Sequence, residues 1–335
     1  MHSCNRCLDA FPFAVARPLG IPLAQEAVVY ADTTHWVPMT LRQAMPEKFA
    51  VQKEPADAYV RKAQHLMPAP HILPQLLPLL NQLDRDVGKI IELISYDPSL
   101  TANVMRVCNS AYYNRGTPIE SLKQAITHIG LNETYRIVVA IAGSMLLSTS
   151  GREHSGEESH KLWNHSATAA LAAQILAQEA GEDENAVFTA GLLHDIGKVV
   201  FAAEVEGLYE GRDDSRKKNT QSLLDVESGL FGVDHAELGG RLLEAWRFPT
   251  NLVAAVRFHH QPDEALTYGR AAACVLLADC IAYLLDRGYG QEHVLLRGRD
   301  EALDSLRISS DQLSDYKDQV IPRLEILKEF YHMRV

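Results

Sequence analysis

Aromatic residues make up only 7% of this 335-residue chain, and its five cysteines are an odd number, which excludes a fully paired disulfide framework. Cys108, Cys274 and Cys280 sit in apolar helical runs where a free thiol behaves as a small hydrophobe, so the expected setting is a reducing cytoplasm. Excess basic charge is missing too. A formal charge of -11 argues against a protein that tracks a nucleic-acid backbone by broad electrostatics. Apolar runs such as Ile137 to Leu147 and Ala271 to Asp279 are short for a bilayer span, and Pro12, Arg17, Pro18 and Pro22 interrupt any secretory pattern, so neither membrane insertion nor export is expected. There is no Gly-rich phosphate loop, no alternating strand ladder and no fixed-period repeat. What remains is abundant Leu, Ala, Ile and Val within a 47% hydrophobic content, spaced by threes and fours. That pattern predicts an all-α fold.

The pattern divides the chain into four segments. Residues 1–62 are proline-punctuated with poor periodicity and form an irregular extension. The lone Cys4-x-x-Cys7 in it lacks the second ligand pair that zinc needs and is not assigned a metal. Residues 63–150 form an N-terminal helical lobe: Leu76, Leu77, Leu79, Leu80 and Leu83 come after a proline-rich entry, Val87, Ile90, Ile91 and Ile94 form the next face, and Asp97-Pro98 restarts the helix for Leu100, Val104, Val107 and Cys108. A Ser- and Gly-rich link at Thr149 to Gly156 leads to a helical core at 157–287, and further helices occupy 288–335.

The core carries the chemistry. Asp279 lies among apolar neighbours on nearly every side of its helix, so its carboxylate needs a metal, a salt bridge, a raised pKa or one wet stripe. His194-Asp195 closes the run Ala190 to Leu193, ahead of Gly197, which is expected to end that helix. His259-His260 closes Leu252 to Phe258. Either doublet alone is a weak signal, but His165, His194, Asp195, His235, His259, His260 and Asp279 fall on or at the ends of successive predicted helices. A bundle builds an internal metal cage from facing elements in that way. The nitrogen and oxygen donors suit Fe, Mn, Ni, Co or Zn better than Ca or Mg.

The order His165, His194-Asp195 within HDIGK, His235, His259-His260, Asp279 resembles the HD superfamily of metal-dependent phosphohydrolases in its binuclear form. The block Asp97-Pro-Ser-Leu-Thr-Ala-Asn-Val-Met-Arg-Val-Cys-Asn-Ser-Ala111, with Ile119 to Ile126 and Ile129-Gly130 after it, is similar to HDOD domains, the HD-related output domains of bacterial signalling proteins. The resemblance implies an HD-type helical core behind an N-terminal helical lobe, and two divalent transition metals with Fe or Mn favoured. One ion would take His165, His194, Asp195 and Asp279, and the other Asp195, His235, His259 and His260. Asp195 and Lys198 become the candidate catalytic residues, and a signalling partner or a phosphate-containing small molecule becomes the expected ligand. Gln261-Pro-Asp-Glu264 stands where the cyclic di-GMP phosphodiesterase branch carries its GYP motif, so either a regulatory output module or an active phosphohydrolase is compatible with the resemblance. Arg115, Lys123, Arg136, Lys161 and Arg257 are candidates for a phosphate pocket, although isolated basic residues on helices are usually solvated.

Overall fold

Acidic and hydroxyl side chains start three helices of the N-terminal lobe. Asp86 accepts a hydrogen bond from Lys89 N at the entry to α3 (Val87–Ser95), and Asp97 accepts from Leu100 N at the entry to α4 (Pro98–Cys108), where Pro98 occupies the first turn. Ser121 does the same for α5 (Leu122–Ile129) through Gln124 N. Asn109 closes α4 and fixes the next stretch of chain: its amide donates to the carbonyls of Met105 and Ile119, while its oxygen accepts from Ile119 N at 2.7 Å. The motif residue Asn109 is thus a clamp on the 109–119 connection. In the computed structural model, residues 53–67, 70–82, 84–114, 116–147, 156–205, 222–286 and 298–332 are described, and among them only helices and turns occur.

Within the lobe, α2 (Leu73–Leu80) buries five leucines, and α4 and α5 pack on α6 (Leu131–Leu147), which is buried along most of its length. Helix α6 also meets the core, where α7 (Gly156–Ala180) packs along α8 (Glu184–Leu193) and α13 (Gly269–Asp286). Small residues permit the close approach. A Cβ on Gly191 would stand 2.8 Å from the Ala173 methyl and 2.9 Å from the Ala169 carbonyl. The core continues through α9 (Ile196–Glu204), α10 (Leu223–Phe231), α11 (His235–Ala245) and α12 (Thr250–Arg257), and then a 3-10 segment, Pro262–Tyr268. Two closing helices, Arg299–Leu306 and Ser310–His332, pack on α13 and α7 respectively.

Two details differ from the sequence reading. Helix α1 (Ala56–Leu66) crosses the boundary expected at 62/63, because Tyr59 is fully buried edge-on against Phe201 and Phe231 of the core. Asp57 also pairs with Arg241, and Lys62 with Glu204. Gly197 does not end a helix. The break comes at His194-Asp195, and Gly197 lies in the first turn of α9, where a Cβ would sit 2.1 Å from the His235 carbonyl oxygen. Its task is close approach. Cys4, Cys7, Leu83, Arg115 and the 149–155 link lie outside the described residues. The stretches Glu184–Glu204 and Pro262–Leu285 have the length and mean hydropathy (1.4 and 1.5) of a membrane span, but they are 89% and 67% buried inside this helical body. Their apolar character serves the interior that surrounds the site.

Candidate metal centre

Six helices deliver one cluster. His165 comes from α7, and His194 and Asp195 occupy the break between α8 and α9. His235 opens α11, capped by Asp234 through Glu237 N. His259 and His260 come just after α12, and Asp279 projects from the middle of α13. All seven expected residues converge. His165, His194, Asp195, His235, His259 and Asp279 are each no more than 6% exposed, and only His260 is half-buried.

The donors are oriented before any ion arrives. His194 donates its Nδ1–H to the Gly191 carbonyl at 2.8 Å, His259 donates to the Val256 carbonyl at 2.7 Å, and His235 donates to Glu227 Oε2 at 2.7 Å. Each bond engages Nδ1 and turns Nε2 inward, the orientation that histidine ligands require. The Nε2 atoms of His194 and His259, together with Asp195 Oδ1, make no hydrogen bond although they are buried. Orphaned acceptors of this kind are costly unless a cation meets them.

Distances point the same way. His165 Nε2 lies 2.9 Å from Asp279 Oδ1 and 3.8 Å from Asp195 Oδ2; His194 Nε2 lies 3.4 Å from Asp195 Oδ2 and 3.6 Å from Asp279 Oδ1. On the other side, His235 Nε2 is 3.2 Å from Asp195 Oδ1 and 3.0 Å from His260 Nε2. Ligands about 2.1 Å from a metal are separated by about 3.0–3.4 Å along octahedral or tetrahedral edges. Three donor groups gather with their ligand atoms within 4.8 Å of one another, close enough to contract onto an ion: His165 with His194 and Asp195; His235 with His259 and His260; and His194 with His259 and Asp279, which spans the other two. The residues present therefore fit a divalent cation held by nitrogen and oxygen.

Charge in the pocket is strongly coupled. Burial alone would raise Asp195, but His194, Lys198 and His235 outweigh it and hold the carboxyl well below its ordinary value. Asp279 is likewise lowered against the burial effect, by His165 and His194. Burial pushes His194 down, yet Asp195 and Asp279 overcome it and raise its pKa to about 10. His259 is lowered to about 3, chiefly by burial, with the neighbouring His194 and His235 rings acting in the same direction. Lys198 Nζ donates to Asp195 Oδ2 at 2.7 Å and keeps its proton, because Asp195 and Asp279 outweigh the cost of burial. The carboxylates demand positive charge within the cluster, and His259 supplies a neutral donor.

Glu227 was missed in the sequence. It is fully buried, and its Oε2 accepts from both the backbone N–H and the ring of His235. A signal existed: in Leu223-Leu-Asp-Val-Glu227-Ser-Gly-Leu-Phe231 the glutamate shares a helix face with Leu223, Leu230 and Phe231, all buried. As expected of isolated basic residues on helices, the described candidates do not gather as one pocket. Arg136 is held by Glu133 and Glu184, Arg257 by Glu237 and Glu244, and Lys123 and Lys161 are exposed.

Comparison with known proteins adds the family context. Residues 66–262 match the HDOD domain. A protein of Treponema pallidum (strain Nichols), itself uncharacterised, is 25% identical over 279 residues, covering 81% of this chain and 52% of its own length. Ribonuclease Y of Campylobacter jejuni is 25% identical over 194 residues, 56% of this chain and 30% of the enzyme. The chain thus spans about half or less of these curated relatives. Among solved structures, an HDOD domain protein of unknown function from Geobacter sulfurreducens superposes with a TM-score of 0.64 at 23% identity, covering 82% of this chain and 99% of that one. A candidate phosphohydrolase from Shewanella amazonensis SB2B gives 0.58 at 23% identity, with 82% and 98% covered. Both share the all-α fold.

Proposed function

The chain belongs to the HDOD domain family, and from that membership we propose that it is a bacterial signal-transduction output module built around an HD-type binuclear metal site. The observation that carries this reading is the division of Asp195. Its Oδ2 faces His165, His194 and Lys198, while its Oδ1 faces His235, so one carboxylate stands between two sets of imidazoles. One ion is assigned to His165, His194, Asp195 and Asp279, the other to Asp195, His235, His259 and His260. The mixed donors suit Fe, Mn, Ni, Co or Zn, and the family resemblance favours Fe or Mn among them. Bound there, two divalent cations supply Lewis acidity, clamping a phosphoryl oxygen and offsetting negative charge. The protein's own part is orientation: Glu227 holds His235, backbone carbonyls hold His194 and His259, and Lys198 adds a fixed positive charge beside Asp195.

The regulatory reading is supported by closure. Six of the seven ligands are nearly inaccessible, and His260 alone offers an appreciable face to solvent. A phosphate-containing ligand or a partner protein is then sensed at the rim, in the cytoplasm, where the buried free thiols stay reduced. Lys198 beside Asp195 favours a second reading, an active phosphodiesterase on a nucleotide or cyclic dinucleotide, and ribonuclease Y among the relatives supports it as well.

Turnover decides between them. Protein loaded anaerobically with Fe(II) or Mn(II) is expected to hold two ions per chain and to leave cyclic dinucleotides, nucleotides and generic phosphodiesters intact. Hydrolysis that disappears in Asp195→Ala would overturn the regulatory reading and establish the second. A metal content of zero under both loadings would end the shared premise.

A further inference from the structure

A cavity of about 290 Å³ opens where the N-terminal lobe, the core and the last helix meet, and it contains none of the cluster residues. Its polar lining is Tyr112, Tyr113, Glu133, Arg136, Gln174 and Arg323. Leu171 and Phe188 supply the apolar part. We propose that this cavity is a second ligand site that binds a guanine mononucleotide, the base inside and the phosphate at Arg323.

Each part of that ligand has a counterpart. Tyr112 is 56% exposed, its ring perpendicular to that of Tyr113 at a centroid distance of 4.8 Å, and an exposed ring at the mouth of the cavity is a surface on which a planar base stacks. Glu133 accepts from Tyr113 Oη at 2.6 Å through Oε1 and pairs with Arg136 Nη1 at 3.3 Å through Oε2. A carboxylate has roughly four acceptor positions, so about two remain for donors. Guanine presents ring and exocyclic N–H groups side by side on one edge, whereas adenine presents only its amino group there. The carboxylate therefore selects guanine.

Arg136 does not compete for the phosphate. It is tied to Glu133 and to Glu184 at 2.9 Å, and the Gln174 amide, turned with its oxygen toward the guanidinium, accepts from both Nη atoms at 3.2 Å. It holds Glu133 in place. Arg323 is exposed and makes no ion pair among the described residues, so its charge is available to an anion. The volume lies at the low end for small-molecule sites, about 300–1,000 Å³, which accommodates a base and leaves sugar and phosphate at the rim. Because the lining comes from α6, α7, α8, the 109–119 connection and the helix Ser310–His332, an occupant there bridges lobe, core and C-terminus.

Titration calorimetry on the full-length, metal-loaded chain tests this, with GMP, AMP and inorganic phosphate as titrants. The expected result is a GMP site that depends on the cavity residues, with AMP at least about tenfold weaker there; phosphate heat from the metal cluster is unchanged by cavity substitutions. Tyr112→Ala and Arg323→Ala, both at exposed positions, each weaken GMP by about tenfold or more while the melting temperature holds. His194→Ala leaves GMP binding intact, which separates this site from the metal cluster. The proposal is overturned by absence of GMP heat at millimolar concentration, by phosphate binding that the rim variants weaken as much as they weaken GMP, by GMP binding unchanged in both rim variants, or by its loss in a folded His194→Ala protein.

Discussion

The N-terminal lobe and the core are both bundles of short helices, yet they hold themselves together differently. In the lobe the buried positions of α2 to α5 are hydrocarbon or thiol, and polar side chains work at helix ends, as Asp86, Asp97, Ser121 and Asn109 do. In the core, six of the seven cluster residues, with Lys198 and Glu227, bring charge and imidazole into a packed interior. The lobe is stabilised by burial of apolar area, which tolerates local loss. The core depends on an electrostatic network in which each member compensates another, and such networks fail together.

The largest test of that contrast is Asp195→Ala. It leaves Lys198 and His194 buried beside one remaining carboxylate and removes the carboxylate whose two oxygens face the two imidazole sets. Breaking a buried pair costs about 3–5 kcal/mol, so a strongly lowered urea midpoint is expected together with loss of bound metal. A variant that keeps two ions per chain at normal stability would erase the distinction between the regions.

Leu77→Ala is the matching cut in the lobe, at a side chain 1% exposed. It should cost about 2–5 kcal/mol through lost burial and the cavity left behind. Metal content per folded chain should not change. If Leu77→Ala depletes metal as Asp195→Ala does, the two regions are one network and the comparison falls.

Glu227→Gln probes the core more gently, because the amide keeps the shape but presents a weaker acceptor to His235. Loss of such an outer partner lowers metal affinity by about 10–100-fold. The readout is metal competition against a chromophoric chelator. An affinity equal to that of the parent protein would show that the Glu227–His235 bond at 2.7 Å has no part in preparing the donor.

How much of this could be read from the chain differs between the regions for the same reason. The lobe's helices were legible because their causes are local: Asp97-Pro98 announces a start, and Leu76, Leu77, Leu79 and Leu80 announce a face. The seven cluster residues were legible as a set, since His and Asp stand out at the ends of apolar runs. Their orientation was not. The carbonyls of Gly191 and Val256 that fix two rings are backbone atoms without a sequence signature, and Glu227 acts across eight residues through a turn. Gly197 was read as a helix end because local rules offer that role first, whereas its actual constraint is the His235 carbonyl, 38 positions on. Helix α1 was placed outside the body because Tyr59 looks unexceptional until Phe201 and Phe231 are beside it.

The smallest effect tests what the regions share. Cys108 in the lobe and Cys274 in the core are both buried, and burial pushes their thiols up to about 11 and about 12 from an ordinary value of 9.0. Below pH 9 both folded and unfolded chains keep these protons, so the stabilisation from the neutral buried thiol is fully present. Above pH 9 the unfolded chain releases the proton and the folded chain retains it, so the folded state binds more protons and stability falls as pH rises toward the folded values. Each thiol should cost about 1 kcal/mol by pH 10. Urea midpoints at pH 7 and pH 10 for the parent, Cys108→Ala and Cys274→Ala, each with and without chelator, measure it. Both variants should lose part of the alkaline decline equally, whatever the metal content, because away from the cluster the core is held by hydrocarbon as the lobe is. A decline at Cys274 that appears only after chelation would mean that the cluster's electrostatics reach through the whole of α13, and the boundary between the two kinds of stability would have to be drawn elsewhere.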